Sequence, residues 1–339
     1  MSAPLLRIDG LHIEFGPPDA PLVAVHDVGL TVERGEFVGL IGESGSGKSL
    51  TCRSVLRLVT PAARVSAREV SFDGRDVQAM STRELRALRA RDVGMIFQDP
   101  FSSLNPVFRA GEQLAETLRV NLGMKKAAAR AEAIELLEHV GIPDPPRRYL
   151  AYPHELSGGM RQRVMIAMAM AAKPRMLIAD EPTTALDVTT QAQILELLLR
   201  LRREHDMAVV LVSHDFAVIA QVCDRVAVMY GGHVVETASF ETIYRRPEHP
   251  YTRALLESVP AIESAGRRAR RQAIQGQPPE LSERVEGCVF RPRCRFARES
   301  CRSLSMALEP VAPGHATACP VRPFAHGGER APVSAEDRA

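Results

Sequence analysis

Gly42 to Ser49 reads GESGSGKS and fits G-x-x-x-x-G-K-[ST]. Glycines at this spacing let backbone N–H groups turn onto phosphate oxygens, and a following helix adds the partial positive charge of its N-terminus. Lys48 has the reach for β- and γ-phosphates, and the Ser49 hydroxyl suits Mg²⁺. Further on, MLIADE ends an apolar run in two carboxylates. Asp180 suits Mg²⁺, directly or through water, and Glu181 suits polarisation of an attacking water. A third group is Cys288, Cys294, Cys301 and Cys319, spaced by five, six and seventeen residues. The tight C-x₂₋₄-C pairs of structural zinc are absent. Four thiolates also suit an iron–sulfur cluster, and unligated thiols are the remaining reading.

These groups need particular elements to position them. EFVGLIG before the glycine-rich loop is a nearly continuous apolar run, as a strand buried on both faces reads, and SLTCRSVLRLV after it has helical spacing. A chance glycine-rich turn would need neither flank. MLIAD and AVVLVSH read as further buried parallel strands, separated by the helical stretch TTQAQILELLLRLRREH at 189–205. The fold class is α/β with a parallel sheet. LLRIDGLHIEF and VAVHDVGLTV alternate in polarity around the breaker-rich turn GPPDAP, and RVAVMYGGHVVET reads as a hairpin at Gly231-Gly232. Residues 98–172 read as a helical insertion, whose stretch KKAAARAEAIELLEHVG ends in a glycine cap at Gly141.

LSGGMRQR, Leu156 to Arg163, closely resembles the signature of the ATP-binding-cassette (ABC) family, a far more specific match than a phosphate loop. The resemblance runs in order along residues 1–260. It implies a P-loop NTPase (RecA-like) parallel-sheet core, an antiparallel β subdomain, a helical signature subdomain at about 98–172 and a small cysteine-containing C-terminal extension. By this resemblance Phe15 stacks on adenine, and Gly42, Ser44, Gly45, Ser46, Gly47, Lys48, Ser49 and Leu50 hold ATP. Gln98 of FQDP is the Q-loop glutamine, joining Ser49 and Asp180 at Mg²⁺; Asp187 of TALD is the D-loop aspartate, and His214 of VSHD contacts the γ-phosphate. Lys48, Gln98, Glu181 and His214 are the expected catalytic set. Ser157, Gly158 and Gly159 precede a helix, and their N–H groups and hydroxyl suit a γ-phosphate held by another subunit. One phosphate loop and one signature per chain therefore imply a head-to-tail dimer around two nucleotides. The methionines of that helix, Met160, Met165, Met168 and Met170, read as core packing.

QDPFSSLNP, DEPTTALDVTTQAQIL and HPYTRALLESVP at 249–260 resemble the ATPases of oligopeptide, dipeptide and nickel importers. The resemblance implies a second ATPase subunit, a different chain rather than a second copy, two membrane-spanning permeases and, indirectly, a solute-binding protein. It places the chain at the cytoplasmic face of the bacterial inner membrane as a peripheral subunit. Some members of this branch carry a four-iron four-sulfur cluster in a similar tail; Arg291, Arg293 and Arg295 nearby read either as offsetting the charge of a cysteinyl cluster or as a solvated face. Zinc or no ligand remain the alternatives there. Residues 261–285 read as a basic, Pro- and Gly-containing linker, 286–325 as the extension and 326–339 as a disordered tail.

The bulk numbers agree with this class. The chain has 339 residues, 45% of them hydrophobic and 25% charged, with a net charge of +2 and no tryptophan, so nucleic acid is not an expected partner. No run reaches the roughly 18 apolar residues of a membrane helix, and the N-terminus lacks the basic-then-apolar order of a signal peptide. A translation or DNA-repair ATPase of the same superfamily is the competing reading. Against it stand the single cassette and the HPYTRALL segment. Cys52 and Cys223 stand alone in apolar contexts and read as packing residues.

Overall fold

The computed structural model describes residues 3–99, 103–184, 186–258, 274–280 and 285–324. Of the expected linker, residues 261–273 and 281–284 lie outside these, as does the expected tail from residue 326. In chain order the strands are β1 (Leu6–Phe15), β2 (Leu22–Val32), β3 (Phe37–Ile41), β4 (Arg64–Ser66), β5 (Glu69–Phe72), β6 (Arg75–Asp76) and β7 (Val93–Ile96). They continue as β8 (Met176–Asp180), β9 (Ala208–Ser213), β10 (Arg225–Tyr230), β11 (His233–Ser239), β12 (Glu309–Ala312) and β13 (His315–Thr317). The chain folds as two compact units.

The first unit comprises Phe37–Gln78 with the stretches up to Val32 and from Ser213 onward. It holds an antiparallel sheet in the order β2-β1-β5-β6, with β4 also on β1. Alternation of buried and exposed residues along β1 and β2 buries one face, as their period predicts. In the same unit β3 pairs in parallel with β10, and β10 returns antiparallel as β11 through Gly231-Gly232. Every residue of β3 is buried. The C-terminal extension is not a bead on a linker: β13 pairs antiparallel with β11 and β12 with β13.

A buried carboxylate organises that junction. Glu236 of β11 has no exposed surface. Its oxygens accept the amides of Glu248 at 2.7 Å and His249 at 3.0 Å, and lie 2.8 Å from Nε2 of His315 on β13. One acid thus fixes both the start of the HPY segment and the extension strand.

The second unit is Glu33–Glu36 with Ala79–Val212. β7, β8 and β9 pair in parallel, and β8 and β9 are wholly buried. The helices Ala110–Leu122, Lys126–His139, Pro145–Tyr149 and Gly158–Met170 pack together with Leu114, Leu118, Ala133 and Leu137 inside. Of the signature helix's methionines Met165 and Met170 are buried, while Met160 and Met168 are half-buried. Among the described residues no helix is long and apolar enough to cross a membrane.

Candidate functional site

In the first unit the phosphate loop joins β3 to the helix Lys48–Val55. A Cβ on Gly42 would lie 2.1 Å from the Met229 carbonyl oxygen, so no larger residue fits there. Gly47 caps the helix without a side-chain hydrogen bond. Lys48 is almost fully buried, and its Nζ donates to the carbonyls of Gly42 at 2.7 Å and Glu43 at 2.9 Å. The loop is thereby wound around the ammonium that a phosphate would take over. Ser44 and Gly45 are exposed, Ser46 is buried, and Ser49 and Leu50 are half-buried. Phe15, at the end of β1, is half-buried. His214 is exposed, directly after β9 and before the helix Phe216–Val222, which Asp215 caps by accepting the Ala217 amide.

The second unit holds an acidic site and a capped surface. Asp180 ends β8 with no exposure. Glu181 follows in the left-handed region (φ 48°), an uncommon backbone for a non-glycine residue. Its Oε2 accepts the side-chain amide of Gln98 at 2.9 Å and the Thr184 hydroxyl at 3.0 Å. Sequence reasoning named Gln98 and Glu181 separately; the structure brings them together and adds Thr184. Within this unit the Gln98 amide oxygen and the Asp180 carboxylate are hard oxygen donors of the kind that Mg²⁺ prefers.

Ser157 caps the helix Gly158–Met170, its Oγ accepting the Met160 amide at 3.2 Å. Asp187 caps the helix Val188–His205 by accepting the Thr190 amide at 2.9 Å and hydroxyl at 2.8 Å, bonds that hold its carboxyl below the usual range. The two helix starts lie side by side, because a Cβ on Gly159 would fall 2.6 Å from the Thr190 methyl. Two positive helix ends on one surface suit a phosphate brought by another chain.

Cys288, Cys294, Cys301 and Cys319 line a single cavity in the first unit with His249, Phe290 and Arg291. Burial pushes the Cys288 thiol up to about 11 and raises those of Cys294 and Cys319 as well. They stay protonated unless a metal displaces the proton. Among the described residues, the only trio of ligand atoms within 4.8 Å of one another belongs to His139, Glu204 and His205. The cysteine sulfurs are therefore spread wider than a tetrahedral zinc site, whose Zn–S bonds of about 2.3 Å put sulfurs about 3.8 Å apart. His249 is buried, and desolvation pushes its pKa down to about 3. Its Nδ1 accepts the Tyr251 amide at 3.1 Å, so Nε2 carries the proton. That Nε2–H and Nη1 of Arg291 are buried without a partner among the described residues. Both residues line the cavity that the four thiols share. Of the three arginines read as charge compensation only Arg291 lines this cavity. Arg293 turns to Glu43, and Arg295 lies 3.9 Å from Glu257, because a nearby carboxylate is the stronger partner.

Sequence reasoning missed Glu43, Tyr251 and Arg293 as parts of the phosphate-loop region. The Tyr251 hydroxyl accepts the Glu43 amide at 2.8 Å, and Arg293 binds both Glu43 carboxylate oxygens at 2.6 and 3.1 Å. An acidic residue inside a loop built for phosphates was the available signal.

The Ser-Gly-Gly helix start is the feature in which this chain resembles ATP-binding cassettes, and the comparisons with known proteins agree. Residues 25–184 match the family described as ABC transporter, and 235–301 match the oligopeptide/dipeptide transporter C-terminal region. The dipeptide transport ATP-binding protein DppD of Escherichia coli (strain K12) is 47% identical over 315 residues, 93% of this chain and 96% of its own length. The oligopeptide transport ATP-binding protein OppD of Salmonella typhimurium (strain LT2) is 46% identical over 315 residues, 93% of each chain. A dimeric ATP-binding cassette, MJ0796, solved in a post-hydrolysis state with ADP and Pi, is 30% identical with a TM-score of 0.62, covering 69% of this chain and 98% of its own. The chain belongs to the ATP-binding proteins of the ABC transporter family, in their oligopeptide/dipeptide branch.

Proposed function

We propose that this chain is the ATP-hydrolysing subunit of an importer of dipeptides or oligopeptides. It works from the cytoplasmic face of a bacterial inner membrane with a second, non-identical ATPase, two permeases and an external solute-binding protein. The observation that carries the reading is the union, in one chain, of a cassette with the oligopeptide/dipeptide C-terminal region, matched over 93% of the chain by DppD.

Phe15 stacks on adenine, and residues Gly42 to Leu50 hold the phosphates, with Lys48 exchanging its loop carbonyls for phosphate oxygens. Ser49, Gln98 and Asp180 would hold Mg²⁺, which offsets phosphate charge. Glu181, oriented by Gln98 and Thr184, takes a proton from water as its oxygen bonds to the γ-phosphorus and the bond to ADP breaks. His214 stabilises the charge on the leaving phosphoryl group. Ser157, Gly158, Gly159 and Asp187 act on the nucleotide of the partner ATPase, so ATP closes the pair and product release opens it. Part of the binding energy shifts the permeases between conformations.

In this reading Cys288, Cys294, Cys301 and Cys319 would hold a four-iron four-sulfur cluster, a reading supported by the four thiols lining one cavity. When bound, such a group would supply a redox centre and tie the extension together. Zinc and no ligand are outcomes that metal analysis distinguishes.

The test is purification of the tagged Glu181→Gln chain from native membranes in mild detergent with Mg·ATP. Two multi-spanning proteins and a second ATPase are expected in the mass spectrum. Recovery of ribosomal or DNA-bound partners instead would overturn the importer reading in favour of a translation or repair ATPase.

A further inference from the structure

The phosphate loop contains a carboxylate, and the fold spends its C-terminal region on it. Glu43 is the first variable position of GESGSGKS. An acid there sits within a few residues of every group that would hold a triphosphate, inside the roughly 8–10 Å over which charges act at moderate salt. Left alone it would repel the polyanion that the loop binds.

Two residues from the far end of the chain meet it. Arg293 lies 250 positions away and binds both carboxylate oxygens in a fork. The arginine is itself held: its side chain is 5% exposed, Nη1 donates to the Tyr230 hydroxyl at 3.2 Å, and Nε donates to the Gln275 carbonyl at 2.9 Å. Tyr251 fixes the backbone of the same residue by accepting the Glu43 amide at 2.8 Å. The rings of Tyr230 and Tyr251 pack at 4.5 Å, and Phe290 closes on them at 5.2 and 5.4 Å. The phosphate loop is thus braced by a rigid aromatic block from the HPY segment and the extension. The brace shares residues with the cysteine cavity, since His249 and Phe290 line both.

We infer that Arg293 is a positioning residue of the nucleotide site: it neutralises Glu43 and, with Tyr251, holds the phosphate loop in its anion-binding form. The oligopeptide-type C-terminal region is therefore part of the ATP site's electrostatics. This rests on the reading that Gly42 to Ser49 binds nucleotide. Removing one partner of a part-buried ion pair costs more than removing both charges, which gives the inference a signature that mere loss of structure lacks.

The experiment is calorimetric titration of the full chain with Mg·ADP, which avoids turnover, for wild type, Arg293→Ala, Glu43→Gln and the double variant. Arg293→Ala is expected to bind about tenfold or more weakly, the scale of one hydrogen bond to a charged group. Glu43→Gln added to Arg293→Ala is expected to return affinity to within about threefold of wild type, because the repelling charge is gone. The gap between Arg293→Ala and wild type should narrow as salt rises from low to high. A double variant as weak as Arg293→Ala, or Arg293→Ala within twofold of wild type, overturns the inference. Absence of wild-type binding overturns the reading of the loop along with it.

Discussion

Replacing Glu181 by glutamine separates nucleotide binding from turnover. In the structure one carboxylate oxygen, Oε2, receives both the Gln98 amide and the Thr184 hydroxyl. A glutamine can turn its carbonyl oxygen to the same two donors, so the local packing survives and nucleotide binding should be retained. Its other terminal atom then becomes an N–H donor where the carboxylate had an acceptor for a water proton. Loss of a positioned general base costs about 10²–10⁴-fold in rate, or about 3–5 kcal/mol in the barrier. Single-turnover phosphate release measures the rate, and titration with Mg·ATP measures binding on the same preparation. Hydrolysis within about tenfold of wild type would refute Glu181 as the base. A parallel loss of ATP binding would refute the assumption that Gln98 and Thr184 accept the substitute.

Glu236→Ala should destabilise the chain by about 3–5 kcal/mol, because it strands His315 and two amides in the interior; denaturant titration measures this, and Glu236→Gln should cost less. His233 stacks on His26 at 4.7 Å, and desolvation with that neighbour pushes its pKa from 6.5 down to about 4. Between those values the unfolded chain binds the proton and the folded chain does not, so this histidine's contribution to stability is intact above 6.5 and declines as pH falls toward 4. His233→Gln should flatten the fall of Tm with pH across that window. On the proposed cluster reading, Cys294→Ser should lower the iron and sulfide content of anaerobically purified protein and bleach its visible absorption, whereas a wild-type protein free of iron would overturn that reading.

The buried strands β3, β8 and β9 were legible because apolar runs bounded by glycine and acid have few other uses in a chain of this composition. The helix starts at Ser157 and Asp187 were legible as motifs, and the structure adds that both residues are caps. The helix after the phosphate loop ends at Val55, short of the helical spacing in SLTCRSVLRLV, because Arg57 takes a left-handed backbone. Cys52 and Cys223 are buried, as their apolar contexts predict. The link from Arg293 to Glu43 was illegible, since no local pattern couples positions 250 apart. The extension's strands were equally hidden. β12 and β13 are four and three residues long and owe their pairing to β11 and to Glu236 rather than to their own sequence. Thr184 escaped notice because a hydroxyl near a carboxylate carries meaning only when the backbone turns at Glu181.

The most direct measurement is uptake of a labelled dipeptide by cells of the source organism in which the native copy carries Glu181→Gln. If ATP turnover by this chain drives peptide entry, uptake falls to the level of a deletion while the protein remains at the membrane with its partners. Undiminished uptake beside abolished hydrolysis would contradict the assignment of peptide import to this ATPase.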